Sequence, residues 1–479
     1  MRLVLDRRAD MDLSAFYQVA WKGRGIDLSG AALARMTAAR ANFMSLIEND
    51  EDIVIYGVTT GYGHRASQRL NHEERKQQAR RPPLSAMTSF GEPLPARVVR
   101  GIVFARLANF IEGHAAITPA IAAAVAGLLD RPGLPEVPAL GNGCPGEITA
   151  LSHLFSGLGQ QVELAEKDSL SLINGSPCAS ALVADAALAA RRRLDLALEV
   201  FALSAEAIKA PLGHFDAALD PLWEDPQEAA ALQRLRELMD NSGGGERRPY
   251  QAPVSWRILP RVLGQAGRAV TQAEEVAEIS LRAVSDNPVF IPPDPDAPDS
   301  HHPYGRIMST GGYHNAKAYP AMDALAAIWA DLALIADRHI DKLMHARVSL
   351  LPDGLRLGEG YLGGLAFTSA GFVEQARQVA SPSLLPAMES GGYGQNDVPT
   401  PVFLAWRKEA EAAQAFEAVL AILAAICSQA FAATDRDPPP ALADLLDETR
   451  TLFPPIEDPR ALSADAEALA ERFRSRVFS

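Results

Sequence analysis

Four irregular segments carry residue types that can do chemistry. In Tyr56-Gly-Val-Thr-Thr-Gly-Tyr-Gly63, glycines allow the backbone close to a ligand, and the phenols of Tyr56 and Tyr62 offer proton-transfer or packing groups. In Gly141-Asn-Gly-Cys-Pro-Gly-Glu-Ile-Thr-Ala-Leu-Ser-His153, Gly and Pro lead into an apolar helical pattern, so N–H groups and a positive helix end converge near Cys144. Leu172-Ile-Asn-Gly175 precedes another long helical pattern. In Gln251-Ala-Pro-Val-Ser-Trp-Arg257, Arg257 is the one guanidinium in an otherwise apolar stretch, suited to a two-pronged hold on a carboxylate or to a structural ion pair.

Two further groups need weighing. A thiol at a helix N-terminus can titrate as low as about 3.5 to 7.5, which would make Cys144 a nucleophile; the alternative is a small buried thiol that fills space. His301 and His302 lie in an acidic loop with Asp294, Asp296 and Asp299, but no spaced ligands accompany them, so no metal site is expected.

The elements that must position these segments are long helices. From Tyr319 to Arg347, Met322, Leu325, Trp329, Leu332, Ala336, Ile340 and Leu343 recur at steps of three and four, drawing one apolar stripe along about eight turns. Stretches 178–209 and 402–434 are similarly long, Ala-rich and free of Pro and Gly. Helices this apolar need cover from neighbours, which predicts a mainly α bundle with subunit contacts. Loops fall at Asn241–Pro249 and Pro292–Pro303, and Ser463 is placed to N-cap a last helix. The expected division is an N-terminal region 1–175 carrying the Tyr56 loop, a long-helix body 176–440 and a helical cap 441–479.

Composition narrows the function. The 479 residues carry a net charge of −14 and 48% hydrophobic residues. Such a surface disfavours nucleic acid and anionic lipid, so the expected partner is a small molecule. Cys144, Cys178 and Cys427 make no disulfide framework, the N-terminus has no secretory pattern, and the 17-residue uncharged stretch 418–434 reads as a buried bundle helix. A cytoplasmic protein is expected.

Taken in order, the motifs resemble the histidine and phenylalanine ammonia-lyase family. Residues 56–63 are similar to its Tyr-Gly-x-x-Thr-Gly-Phe-Gly turn, 172–175 to its Leu-Asn-Gly segment and 251–257 to its Gln-Asp-x-Tyr-Ser-x-Arg segment. Ser285-Asp-Asn-Pro288, Gly311-Gly-Tyr-His314 and Gln395-Asn-Asp397 also look like family segments. The resemblance spans about residues 50–430. It implies a helical fold, a homotetramer with shared active sites, Tyr56 as catalytic base, and Arg257, Asn174, Tyr62, Tyr313 and Gln395 as substrate-binding residues.

The family builds its electrophile, a methylidene-imidazolone, from an Ala-Ser-Gly tripeptide that cyclises and loses water. The matching residues here are Cys144-Pro145-Gly146. Proline has no hydroxyl to eliminate, and its ring nitrogen bears no hydrogen, so the group cannot form and no cofactor is expected. Val254 replaces the family's second tyrosine, Ala86 its histidine in histidine-specific members, and Asn396 a glutamate; Tyr313 stands where Phe is common. Three readings follow. A carbon–nitrogen lyase working without the electrophile would suit a quaternary amine as leaving group, as in the family's ergothionase, with Tyr56 at a lowered pKa as base and Tyr62, Tyr313 or Trp256 facing the cation. A biosynthetic elimination, addition or cyclisation using Cys144 is the second, and a non-catalytic binding homologue the third.

Overall fold

The computed structural model describes residues 2–240, 246–294, 296–386, 394 and 396–479. They form two compact units, each gathered from separated stretches of chain. The first comprises Met1–Asp185, Ala273–Pro320 and Ser383–Trp406; the second comprises Ala186–Gln272, Ala321–Pro382 and Arg407–Ser479.

The expected helices are present. They run Pro177–Ala207, Ala318–Met344 and Val402–Ala433, with 31, 27 and 32 residues. The stripe from Met322 to Leu343 is buried at every position, as three-and-four spacing requires. By length and composition three helical spans, Asp168–Ala207, Ala318–Met344 and Val402–Ala433, could each cross a membrane. Protein already covers 94% of the apolar window in the first and third but 56% in Ala318–Met344, so that helix keeps an uncovered face.

One buried polar cluster inside the second unit is paired. Arg193 Nε lies 2.8 Å from Glu417 and its Nη1 3.4 Å from Glu409, while Trp329 Nε1 donates to the same Glu409 carboxylate at 2.9 Å. A buried ion pair adds little net stability, but removing one partner strands a charge, so this cluster fixes how the helices face each other. The final helix, Ser463–Phe478, corrects the capping expectation: Leu462 occupies the N-cap, no side chain caps it, and Ser463 begins the helix itself.

The first unit holds three two-stranded sheets: Leu3–Leu5 with Ile26–Leu28 in parallel, and Phe90–Pro93 with Pro138–Leu140 and Val289–Ile291 with Arg306–Met308, both antiparallel. Ser29 caps the helix Gly30–Asn49 by accepting the Ala32 N–H at 2.9 Å. That helix supplies Phe43 and Ile47 to a core with Ile55, Val58 and Phe290, the Phe43 and Phe290 rings meeting edge-on at 5.5 Å. Because Ile55 and Val58 flank Tyr56, this core sets where the tyrosine loop begins.

Candidate active site

Tyr56 sits on a turn held by its own sequence. The Val58, Thr59 and Thr60 amides all donate to the Ile55 carbonyl, and Thr59 Oγ1 accepts the Ile55 N–H at 2.7 Å while donating to Ile53 O. Gln78 Nε2 donates to the Gly57 and Thr60 carbonyls at 3.0 and 3.2 Å. Gly57 has φ +70°, which favours glycine, and a Cβ there would stand 2.6 Å from Leu170 Cδ2 and push that side chain aside. The half-buried Tyr56 hydroxyl accepts the Gly63 N–H at 3.0 Å. That bond favours the phenolate, but burial outweighs it and raises the Tyr56 pKa, contrary to the expected lowering. A charge on Tyr62 or Tyr313 would raise it further. Tyr62 is 41% exposed.

The 144–146 segment turns sharply. Cys144 precedes a turn beginning at Pro145, Gly146 has φ +71°, and Glu147 is left-handed at φ +58°. A Cβ on Gly146 would lie 2.5 Å from Asn174 Oδ1, and Gly175 N donates to Gly146 O at 3.2 Å, so this turn packs directly on the 172–175 segment. Cys144 Sγ accepts the Thr149 N–H at 3.5 Å, the contact a helix start should give. Of the two alternatives weighed for this thiol, the burial favours the space-filling one, because it raises the pKa more than this long bond lowers it. Cys144 is therefore a protonated thiol at neutral pH, which disfavours its use as a nucleophile.

Asn174 is buried. Its Nδ2 donates to Asn287 O at 2.9 Å, and its carbonyl accepts from Arg106 Nη1 at 2.7 Å. The Ser285–Pro288 segment closes the same cluster: Ser285 Oγ accepts the Ser176 N–H at 2.9 Å, and Asp286 pairs with Lys167 and accepts from Ser171 Oγ. Charged residues that the motifs do not mark thus lie under the site. Glu147 accepts the Cys178 and Ala179 N–H groups at 2.6 and 2.8 Å, at the start of helix Pro177–Ala207, where the helix end favours an anion. Burial still lifts its pKa to about 7. Its position directly after the tripeptide is the signal in the sequence that points to it.

In the second unit, the short helix Val254–Arg257 carries the arginine. Arg257 Nη1 donates to Gln251 Oε1 at 3.0 Å, its Nε is buried without a partner, and among the described residues no carboxylate lies within ion-pair reach. The structural ion-pair alternative therefore has no partner there. Trp256 is a correction: fully buried, it stacks on His339 at 3.8 Å with rings 2° from parallel and donates from Nε1 to Ser204, so it is core and faces no ligand. Val254 is largely exposed.

Gln395 lies outside the described residues. His302 pairs with Asp299 at 2.8 Å on the surface, and among the described residues no three His, Cys, Asp or Glu side chains converge as a metal site.

The first unit thus holds the tyrosine loop and the buried Asn174 cluster, and the second holds Arg257 with no carboxylate partner among the described residues. The family description "Aromatic amino acid lyase" matches residues 11–161 and 156–451, and the chain belongs to that family. It is similar to histidine ammonia-lyase of Deinococcus radiodurans, 28% identical over 431 residues that cover 83% of this chain and 79% of that one. The Symbiobacterium thermophilum histidine ammonia-lyase is 28% identical over 97% of this chain and 95% of its own. Among solved structures, ergothionase from Treponema denticola matches with a TM-score of 0.89 at 19% identity, covering 100% of this chain and 99% of that one. Tyrosine aminomutase from Streptomyces globisporus matches at 0.88 and 22% identity, covering 100% and 98%. At those identities the structures establish the shared fold.

The residues present do not fit the family's electrophile. Pro145 is buried at the first position of its turn, with a ring where the cyclising tripeptide needs a hydroxyl and an N–H.

Proposed function

We propose that this family member is a carbon–nitrogen lyase that works without the methylidene-imidazolone, eliminating a tertiary amine from an aromatic or histidine-type amino acid betaine. The observation that carries the reading is Pro145 at the cofactor serine's position, in a scaffold that keeps Tyr56 and an Arg257 with no carboxylate partner among the described residues. Ammonia is a poor leaving group and needs activation, whereas a quaternary nitrogen departs as a neutral amine. It also has no lone pair with which to attack an electrophile. The solved neighbour described as an ergothioneine-degrading enzyme makes such a substrate class a natural one for this fold.

In this reading Arg257 holds the substrate carboxylate through its unpaired guanidinium edge. The β-hydrogen passes to the Tyr56 oxygen; the C–H electron pair becomes the new double bond, and the C–N pair leaves with the amine. A buried phenol of raised pKa is a weak supply of base, so the substrate's own cation has a second task. Placed against Tyr56, it favours the phenolate and sits on the faces of Tyr62 and Tyr313. Asn174, expected to help hold the carboxylate, donates its side-chain amide N–H to Asn287 O and packs against the 144–146 turn.

We extend the proposal to a homotetramer in the cytoplasm. The uncovered face of Ala318–Met344 and exposed Phe90 and Phe367 support burial against further copies. Sedimentation at micromolar concentration should show four chains, and a monomer would refute this part.

A substrate panel tests the function. N-trimethylhistidine, its thiol analogue and the free amino acids histidine, phenylalanine and tyrosine are incubated with the protein, and the conjugated acrylate is followed by absorbance. Turnover of a betaine with at most traces from free amino acids is expected. Robust turnover of a free amino acid contradicts the reading, and silence on every betaine removes it.

A further inference from the structure

The 251–257 segment is pinned on both sides of its unpaired cation by histidines that belong to none of the family motifs. Residues 246–253 form no helix or strand, so little regular backbone bonding holds Gln251 in place. Ala252, 1% exposed, donates its N–H to His214 Nε2 at 3.1 Å. Accepting there requires the ring proton to sit on Nδ1. On the other side Trp256 is clamped by the His339 stack and by Ser204, which also meets His339 Nδ1 at 3.0 Å. Between them Gln251 Oε1 holds one arm of Arg257. Glutamine is a neutral acceptor: it orients the guanidinium without cancelling its charge, as a carboxylate would.

We infer that His214 is a positioning residue for Arg257, acting through the Ala252 N–H to hold the Gln251–Pro253 turn and thereby the Gln251 contact to the guanidinium. Without the acceptor, the Ala252 N–H is a buried donor with no partner, and the turn must move to reach water. Gln251 then moves with it. This rests on the carboxylate-clamp reading of Arg257, while the turn itself can be followed without any substrate.

The test uses full-length protein and three variants. His214→Phe keeps a ring beside Phe215 but accepts no hydrogen bond, His214→Gln restores an acceptor, and His214→Phe is also combined with Arg257→Ala. Hydrogen exchange in the 251–257 peptide should quicken in His214→Phe and return toward wild type in His214→Gln. With N-trimethylhistidine as substrate, KM should rise between about tenfold and a hundredfold, the scale of displacing a clamp by about an ångström. The kcat should stay close to wild type. The Arg257→Ala background should show no further loss. Unchanged exchange across 251–257, or losses that add fully in the double variant, would overturn the inference. If wild type neither binds nor turns over any betaine, the functional reading fails, and the exchange result alone decides whether His214 holds the turn.

Discussion

The tyrosine loop and the arginine segment solve opposite problems. At Tyr56 the polar atom is satisfied: its oxygen takes the Gly63 N–H, and burial holds the phenol protonated. At Arg257 the charge is oriented by Gln251 yet left without a counter-ion among the described residues. One region is neutral until a ligand changes its surroundings; the other is charged and awaits an anion. Under the proposed function, a carboxylate suits the arginine segment and a fixed cation suits the tyrosine loop.

Breaking each region should therefore fail in a different way. Tyr56→Phe removes the proton acceptor and should lower kcat by roughly 10²–10⁴-fold while binding is nearly kept. Full activity in that variant would take Tyr56 out of the mechanism. In wild type, kcat/KM should climb about tenfold per pH unit between about pH 7 and 9, since the raised pKa of the free protein leaves the phenolate scarce there. A flat profile would show a different base. Arg257→Ala should instead act on binding, weakening the substrate by roughly 2–5 kcal/mol if the carboxylate pair is desolvated; calorimetric titration with a betaine reads this directly.

Glu147 sharpens the comparison because it is charge buried under the tyrosine side. Its folded pKa is raised from 4.5 to about 7, so the folded state holds that proton more tightly than the unfolded chain. Its stabilising contribution is full below the unfolded value and is lost as pH rises through the folded one. At about 1.4 kcal/mol per pKa unit the loss is about 3 kcal/mol. Melting temperature should fall from pH 5 to 8 in wild type and fall less in Glu147→Gln. The smallest effect is expected at Cys144: with its thiol protonated and buried, Cys144→Ser should leave turnover within the same order of magnitude. Abolished activity there would revive a nucleophilic role.

The long helices are legible in the sequence because a stripe at three-and-four spacing has one physical reading, and Met322 through Leu343 are all buried. The glycine-rich tyrosine turn is legible for a similar reason, since Gly57 stands where a Cβ would strike Leu170. What stays hidden is whatever depends on depth. Burial sets the protonation of Tyr56 and Cys144, and nothing in a local motif reports how much protein lies above it. Trp256 misleads because adjacency to Arg257 says nothing about direction: successive helical residues point about 100° apart, and this one turns onto His339. Arg106 and Lys167 look in sequence like any surface charges, and only the fold shows them inside; Glu147 is marked solely by its place after the tripeptide. His214 carries no signal, because its role is to accept one backbone N–H.

If chemistry here proceeds without an electrophile built from Cys144, Pro145 and Gly146, those residues must persist as ordinary peptide. Intact mass spectrometry of the purified, active protein tests this most directly. The mass should equal that of the translated sequence, with the 144–146 peptide recovered unmodified after digestion. A mass lower by two water molecules, localised to that peptide, would show that the tripeptide does cyclise and would contradict the account.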